Sequence, residues 1–298
     1  MGLSGLALAW RVAHGSLGAP AAIGEAIGGF ALLVFVLLSA GYLAKLLKHP
    51  QAVRTEFLHP VTGNFFGTVV ISILLLSAVV EPYGTVAAHV IWSVGVIATF
   101  ALSYVVVSRL LKGQVDVALA VPAWIVPCVA TLDIPVTGGH MPMAWASEIN
   151  LAACAIGAVL ALVLFALIIG RLVHHAPLAS AMTPSLMILV APFAVGFLAY
   201  ANVMGIDRFA ALLFYFGLFM FGVVAPKVFR PSVGFSPTWW AIGFPMAALA
   251  NAALKYAQFR DSAALWIVAA GLLGALSLAV AVLTVRTVQI LLSGKLLR

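Results

Sequence analysis

Side chains able to do chemistry are few in this sequence and do not gather into a catalytic or metal-binding pattern. The two cysteines, Cys128 and Cys154, lie inside apolar runs, as small packing residues do. His174 and His175 are adjacent, so their side chains point in different directions, and no cluster of Cys, His or Asp accompanies them. No Ser/His/Asp arrangement or glycine-rich phosphate motif is evident either. We therefore predict a protein that has no metal, no cofactor and no enzymatic activity.

The dominant feature is instead a series of long apolar runs without Lys, Arg, Asp or Glu, among them 57–80, 178–206 and 262–285. Hydrophobic residues make up 64% of the 298 residues and charged residues 8%, and the mean hydropathy is +1.19. A helix of about 20 apolar residues spans the hydrocarbon core of a bilayer. The runs lack the period of two that marks the strands of a membrane barrel. The predicted fold class is an all-α polytopic membrane protein.

We expect residues 1–298 to form a single transmembrane domain of ten helices. The odd-numbered spans begin about every 58 residues, which indicates a helical hairpin repeated five times. The sequence therefore predicts five helical hairpins around a central pore. The predicted spans are 2–16, 21–47, 61–80, 84–110, 117–134, 144–170, 179–203, 208–225, 236–257 and 262–290.

The positive charges predict the orientation of these spans, because Lys and Arg accumulate on the cytoplasmic side of membrane proteins. Eleven of the 15 Lys and Arg residues fall on one side of the predicted topology. The other side holds Arg11, Arg208, Lys255 and Arg260. Both termini are thus expected in the cytoplasm, with the protein in the inner (plasma) membrane. Membrane orientation accounts for the net charge of +7, so we predict no nucleic-acid partner.

Prolines distinguish the two members of each predicted hairpin. The even spans are nearly unbroken, whereas odd spans contain Pro122, Pro127, Pro192 and Pro245. Proline removes a backbone hydrogen bond and kinks a helix, which a membrane tolerates where neighbours or water satisfy the freed groups. We predict an inner ring of kinked odd helices around an axis and an outer ring of straight even helices.

This inner ring is predicted to line a mainly apolar conduit for anions. No ionisable side chain is expected at mid-depth in the odd spans, which argues against a carboxylate relay. Kinked helices direct partial positive charge toward the axis. Lys255, about three turns beyond Phe244 along span 9, is the best candidate for a cation at the pore mouth. Phe244, beside Pro245, is either a gate across the axis or an aromatic core residue.

Four segments resemble, in the same order, helices of the tellurite-resistance/dicarboxylate transporter (TDT) family, which includes the plant guard-cell slow anion channels. They are residues 2–10, 54–66, 190–200 and 240–251. The second segment carries the motif residues His59, Pro60, Val61, Phe65 and Phe66. The fourth contains the run Trp-Ala-Ile-Gly-Phe-Pro that ends at Pro245. The resemblance covers nearly the whole chain.

The resemblance implies a homotrimer of ten-helix protomers in the lipid bilayer, each with its own five-helix pore for small inorganic or organic anions. It also implies that an aromatic side chain at the position of Phe244 occludes the pore. The first helix of the family usually begins earlier, so we expect the first helix here to be truncated at its N-terminal end. Members are assigned to dicarboxylate uptake, sulfite export or tellurite resistance, and the sequence does not choose among these substrates.

Three functions are therefore compared. The leading prediction is a passive anion channel or uniporter occluded by Phe244. The alternative is a proton-coupled exporter or permease for sulfite or C4-dicarboxylates. The expected lack of a mid-membrane carboxylate argues against this alternative. A membrane-embedded enzyme would need a convergent polar cluster within one leaflet, which the sequence does not provide.

Overall fold

Backbone polar groups in lipid must be satisfied within the protein, and this chain satisfies them with helices. The computed structural model describes residues 1–113 and 116–294, which contain α-helices and 3-10 segments and no β-strand. The α-helices are α1 (Gly2–Leu17), α2 (Ala21–Lys48), α3 (Pro50–Leu58), α4 (Gly67–Val80), α5 (Thr85–Leu111), α6 (Val126–Gly138), α7 (Ala146–His174), α8 (Ala191–Val203), α9 (Arg208–Val228), α10 (Gly243–Arg260) and α11 (Ala263–Leu292). The 3-10 segments are Thr62–Phe66, Val117–Leu119, Pro122–Ile125, Ser180–Val190 and Pro237–Ile242.

Seven helical segments are long and apolar enough to cross a membrane, by length and composition. They are Ala21–Lys48, Thr62–Val80, Thr85–Leu111, Ala146–His174, Ser180–Val203, Arg208–Val228 and Ala263–Leu292. Pro122–Gly138 is a shorter apolar helix. The expected all-helical membrane class is confirmed, and the even spans were predicted closely: 84–110, for example, is observed as Thr85–Leu111.

Five helices, α1, α4, α6, α8 and α10, form a closed ring. Each packs against the next, and α10 packs against α1. We call these the ring helices. The outer helices α2, α5, α7, α9 and α11 each pack on the ring helix that precedes them and also contact the following one, with α11 reaching α1. Every pair of neighbouring ring helices is therefore covered on its outside by an outer helix.

Burial separates the two sets of helices. Almost every residue of α8 and the first two-thirds of α10 is buried. By contrast, α2 presents large apolar side chains to its surroundings, with Leu38 69% and Leu47 75% exposed. Large exposed apolar faces on one protein indicate an apolar solvent or a partner. The core of the protein thus lies in the ring, and the outer helices provide the exposed apolar surface.

Four ring helices, α4, α6, α8 and α10, are each preceded directly by a 3-10 segment. Three of these changes in helix type occur at predicted kink prolines. Pro127 is the second residue of α6, Pro192 the second residue of α8 and Pro245 the third residue of α10. Pro122 begins the 3-10 segment before α6. The prolines therefore lie at the starts of helices, where a missing N–H and a fixed φ are tolerated, rather than in their interiors as expected.

The C-terminal end of α4 is held by an arginine from the ring. Arg11 of α1 donates hydrogen bonds to the carbonyl oxygens of Ala78 and Val79, both at 2.9 Å. Its guanidinium also pairs with Glu25 of α2 at 2.8 and 2.9 Å. The last carbonyls of a helix have no partner within it, so this side chain satisfies groups that would otherwise be unpaired. One residue thereby ties α1, α2 and α4 together.

Close packing of α7 on α6 requires a glycine, which gives a stability test. A Cβ atom on Gly157 would approach the Thr131 hydroxyl and lie 2.7 Å from Leu132 Cγ, whereas a Cβ on Gly170 of the same helix would meet nothing within 4 Å. We expect Gly157→Ala to cost about 1–3 kcal/mol through overpacking. Gly170→Ala should be neutral or stabilising by roughly 1 kcal/mol because alanine favours helix. Thermal unfolding of the detergent-solubilised protein checks this, and equal melting temperatures for the two variants would contradict it.

Candidate functional site

The inside of the ring is the candidate site, and Phe244 lies where two ring helices touch through their backbones. Phe244 is the second residue of α10 and is 6% exposed. A Cβ added to Gly2 would lie 3.3 Å from the Cα atom of Gly243, and one added to Gly5 would lie 2.7 Å from Ala247 Cβ. Only glycine fits at such distances. The α1 and α10 backbones therefore approach each other directly beside Phe244.

The packing of Phe244 differs from that of the corresponding phenylalanine on α8. Phe193 is the third residue of α8 and is also 6% exposed. It packs edge-on against Phe165 of α7 at 5.0 Å and Phe216 of α9 at 4.4 Å between ring centroids. Phe244 takes part in no aromatic pair among the described residues. Contacts with outer helices thus fix the phenyl group of Phe193, whereas the phenyl group of Phe244 has no such partner.

Lys255, the predicted mouth residue, belongs to a polar network that joins three ring helices. Its ammonium group on α10 donates a hydrogen bond to Oδ1 of Asn202 on α8. The Asn202 amide in turn donates to the carbonyl oxygens of Pro135 at 3.0 Å and Val136 at 2.9 Å, near the end of α6. Asn202 therefore satisfies the terminal carbonyls of α6 and holds the lysine beside them. Sequence analysis missed this asparagine, because no local spacing relates residue 202 to residues 135 and 255.

Asp133 is an ionisable residue buried within α6. It is the last residue but one of the predicted span 117–134, and the helix continues through Pro135 to Gly138. The expectation that the odd spans carry no ionisable group at mid-depth stays a prediction. Asp133 is 1% exposed, and its Oδ2 atom has no hydrogen-bond partner. The apolar residues that follow it, Ile134 and Val136, were the available signal that the helix continued.

Two further polar groups lie on or next to the ring helices. The amino group of Met1 donates a hydrogen bond to Oγ of Ser72 on α4 at 3.1 Å. Trp124, in the 3-10 segment before α6, is 6% exposed, and its indole N–H has no partner. Buried polar groups without partners are uncommon in proteins and mark places where a ligand, an ion or water can bind.

The family-motif residues form a joint between α3 and α4. His59 acts as a structural cap, since Nδ1 accepts hydrogen bonds from the backbone N–H groups of Val61 at 3.1 Å and Thr62 at 3.2 Å. The Pro60 carbonyl oxygen accepts a hydrogen bond from the side-chain amide of Asn64 at 2.8 Å. The half-buried Phe66 packs edge-on against aromatic rings of α2 and α3. Phe65, also half-buried, packs against the hydrophobic core.

Two carboxylates outside the ring helices, Glu56 in the short helix α3 and Asp207 before α9, are held in their ionised form by neighbours. The Lys45 ammonium, and then the Tyr42 hydroxyl, hold the pKa of Glu56 below its usual range. The pKa of Asp207 is also lowered, first by the backbone N–H of Ala210 and then by the Tyr200 hydroxyl. Asp207 caps α9, where an anion is favoured by the helix dipole. These groups stabilise connections and lie outside the ring.

The remaining candidates do not converge. Cys128 is buried in α6, Cys154 is half-buried in α7, and His174 is exposed at the end of α7. Within residues 1–113 and 116–294, no group of three or more His, Cys, Asp or Glu side chains could hold a metal ion.

The chain belongs to the SLAC1 family, described as voltage-dependent anion channel, which it matches over residues 1–288. This confirms the resemblance drawn from the sequence. The family is one of anion channels and transporters, and no enzyme appears among the related proteins.

Related proteins come from plants, bacteria and archaea. The S-type anion channel SLAH1 of Arabidopsis thaliana is 30% identical over 242 residues, which cover 76% of this chain and 60% of that protein. An uncharacterized transporter of Methanocaldococcus jannaschii is 26% identical over 77% of this chain and 75% of its own length. The tellurite resistance protein TehA homolog of Haemophilus influenzae is 24% identical over 86% of this chain and 78% of its own length.

The network around Asn202 gives a second stability test. Asn202→Ala leaves the Pro135 and Val136 carbonyls and the lysine without their partner, so we expect a loss of about 1–3 kcal/mol. Lys255→Met keeps both carbonyl contacts and the apolar stem of the side chain, and should cost less than roughly 1 kcal/mol. Thermal unfolding in detergent compares the variants. An Asn202→Ala protein as stable as the wild type would show that this network does not hold α6.

Proposed function

We propose that this protein is a passive anion channel or uniporter. In this proposal ten helices cross the membrane as five hairpins, the ring helices line a central pore, and the Phe244 side chain occludes it. The short ring helices α1 and α10 cross together with the 3-10 and loop segments next to them. Pro122, Pro127, Pro192 and Pro245 set the points at which the helices lining the pore begin or change type.

The observation that carries the proposal is the closed ring in a chain of the anion-channel family. A ring of five helices encloses an axis, and a hydrophobic constriction on such an axis can block ions by excluding water. Phe244 supports the occluding role because it is buried, lies beside the contact between the α1 and α10 backbones, and has no aromatic partner among the described residues. A benzyl group that is not stacked on aromatic rings of the outer helices can change rotamer at a lower cost in free energy than one that is, such as Phe193.

The sign of the permeant ion follows from the charges on the ring. Lys255 is half-buried, and its single hydrogen bond to Asn202 leaves two ammonium protons for other partners. A cation in this position attracts anions to the pore entrance. The plant relatives are named S-type anion channels, in agreement with a small inorganic or organic anion as the substrate.

Orientation and assembly complete the proposal. From the excess of Lys and Arg on one side we infer that both termini face the cytoplasm. We propose the inner (plasma) membrane as the location of the protein. We further propose a homotrimer in which each protomer has its own pore. Light scattering of the protein in detergent, corrected for bound detergent, measures the number of protomers, and a monomer would contradict the trimer without affecting the pore.

Replacing Phe244 tests the occlusion. We expect Phe244→Ala to raise anion conductance in planar bilayers by roughly tenfold or more, because removing the ring widens and wets the constriction. Phe193→Ala is the matched control, since Phe193 has the same exposure and a similar position in its helix but packs on outer helices. It should lower stability by about 3–5 kcal/mol without raising conductance.

Conductance of Phe244→Ala equal to that of the wild type would contradict the occluding role. An equal rise in both variants would attribute the effect to general loosening of the ring. Phe193→Leu replaces Phe193→Ala if the latter does not fold.

A second candidate function is a proton-coupled exporter or permease for sulfite or C4-dicarboxylates. The buried Asp133 favours it, because an ionisable residue inside a membrane protein is commonly part of a proton relay. The name of the Haemophilus relative adds tellurite resistance to the activities to be compared.

Proteoliposomes distinguish the two functions. A passive pathway should bring labelled sulfite or malate only to equilibrium with the membrane potential, whatever the pH gradient. A coupled transporter should accumulate the label several-fold above that level when a pH gradient is imposed at clamped potential. We expect no such accumulation. If the label accumulates and a protonophore abolishes the accumulation, the protein is a coupled transporter and the passive function is contradicted.

A further inference from the structure

The carboxyl group of Asp133 is buried and forms no ion pair. It is 1% exposed, and the ion pairs among the described residues, Arg11–Glu25 and Lys45–Glu56, lie elsewhere. The Thr137 hydroxyl donates a hydrogen bond to the backbone carbonyl oxygen of Asp133 at 3.0 Å. This bond involves the backbone of Asp133 and not its carboxyl group. Its Oδ2 atom has no hydrogen-bond partner. An ionised carboxylate in this position is costly, so the group is expected to bind a proton or to meet a mobile ion.

The contacts of the ring indicate that this carboxyl group faces inward. A Cβ atom on Gly157 of α7 would meet the Thr131 hydroxyl, and one on Gly138 would meet Trp92 of α5 and Asn150 of α7. Positions 131 and 138 of α6 therefore face the outer helices. Successive residues of a helix are rotated by about 100°, so Asp133 lies on the opposite side of α6, toward the inside of the ring.

Other titratable groups near α6 do not compensate the charge of Asp133. The helices packed on α6 are α4, α5, α7 and α8, and α4 has no ionisable side chain. The titratable side chains on these helices and on α6 itself that are not exposed are His89, Arg109, Cys128, Cys154, Arg171 and Tyr200. None of them forms an ion pair with Asp133.

We propose that Asp133 is a proton-binding site in the wall of the anion pathway. As a neutral acid, its O–H donates a hydrogen bond to a passing anion such as chloride, nitrate or a carboxylate. As a carboxylate, it repels the same anion at close range in a medium of low dielectric constant. Protonation thus converts a barrier into a binding site, and anion flux increases as the pH falls. This inference rests on the proposed anion pathway.

The test is anion conductance of the full-length protein in planar bilayers with the same pH on both sides. Recordings are made in chloride, both for the wild type and in a Phe244→Ala background that supplies a larger current. We expect conductance to be roughly tenfold higher at about pH 5 than at about pH 8. Asp133→Asn, which is neutral and of the same shape, should give a conductance that varies by less than about twofold over this range and stays near the acid level.

Two further variants serve as controls. Asp261→Asn changes an exposed aspartate with φ 44°, a backbone conformation that asparagine tolerates, and should keep the wild-type pH profile. Asp133→Glu keeps an acid at the site and should keep a pH response. It also tests the proposal if Asp133→Asn does not fold, since its midpoint should differ from that of the wild type.

The outcomes separate this inference from the proposed function. Anion current that does not depend on pH, or a pH response that persists in Asp133→Asn, would overturn the role of Asp133 and leave the anion pathway standing. Absence of anion current in both the wild type and Phe244→Ala at every pH would overturn the pathway and this inference together.

Discussion

The need to satisfy backbone polar groups in an apolar solvent is the constraint on which this structure depends. Long outer helices meet it within themselves, but ring helices that start, stop or change type inside the protein leave carbonyls without intrahelical partners. Neighbouring side chains supply the missing donors, Arg11 at the end of α4 and Asn202 at the end of α6. The ring is therefore held by polar contacts between helices as well as by packing of apolar side chains.

The same contacts position side chains of the proposed anion pathway. Asn202 uses its amide N–H groups on α6 and turns its oxygen to Lys255, so one side chain both caps a helix and positions a cation. The glycines of α1 bring its backbone against α10 beside Phe244. The proposed pathway thus has an aromatic constriction, a carboxyl group in its wall and a lysine further along α10. A close backbone contact lies beside the aromatic side chain, and a helix end positions the lysine.

The sequence predicted the outer helices well, because apolar runs bounded by charges leave little choice of start and end. It did not reveal the 3-10 segments, since a fully apolar run lacks the periodicity that separates one helix type from another. The predicted span 117–134 contained Asp133 but ended four residues before α6 does, so the burial of this residue was not foreseen. The role of Asn202 arises only when three distant segments meet. The predicted kink prolines lie where helices begin rather than in their interiors. The role of Phe244 is still a prediction.

The central claim is that anions pass through the ring formed by α1, α4, α6, α8 and α10. Its most direct test is the reversal potential of the Phe244→Ala protein in planar bilayers under gradients of chloride, nitrate and malate salts of one cation. A reversal potential close to the equilibrium potential of at least one of these anions is the predicted result. A reversal potential at the equilibrium potential of the cation in all three gradients would contradict the account.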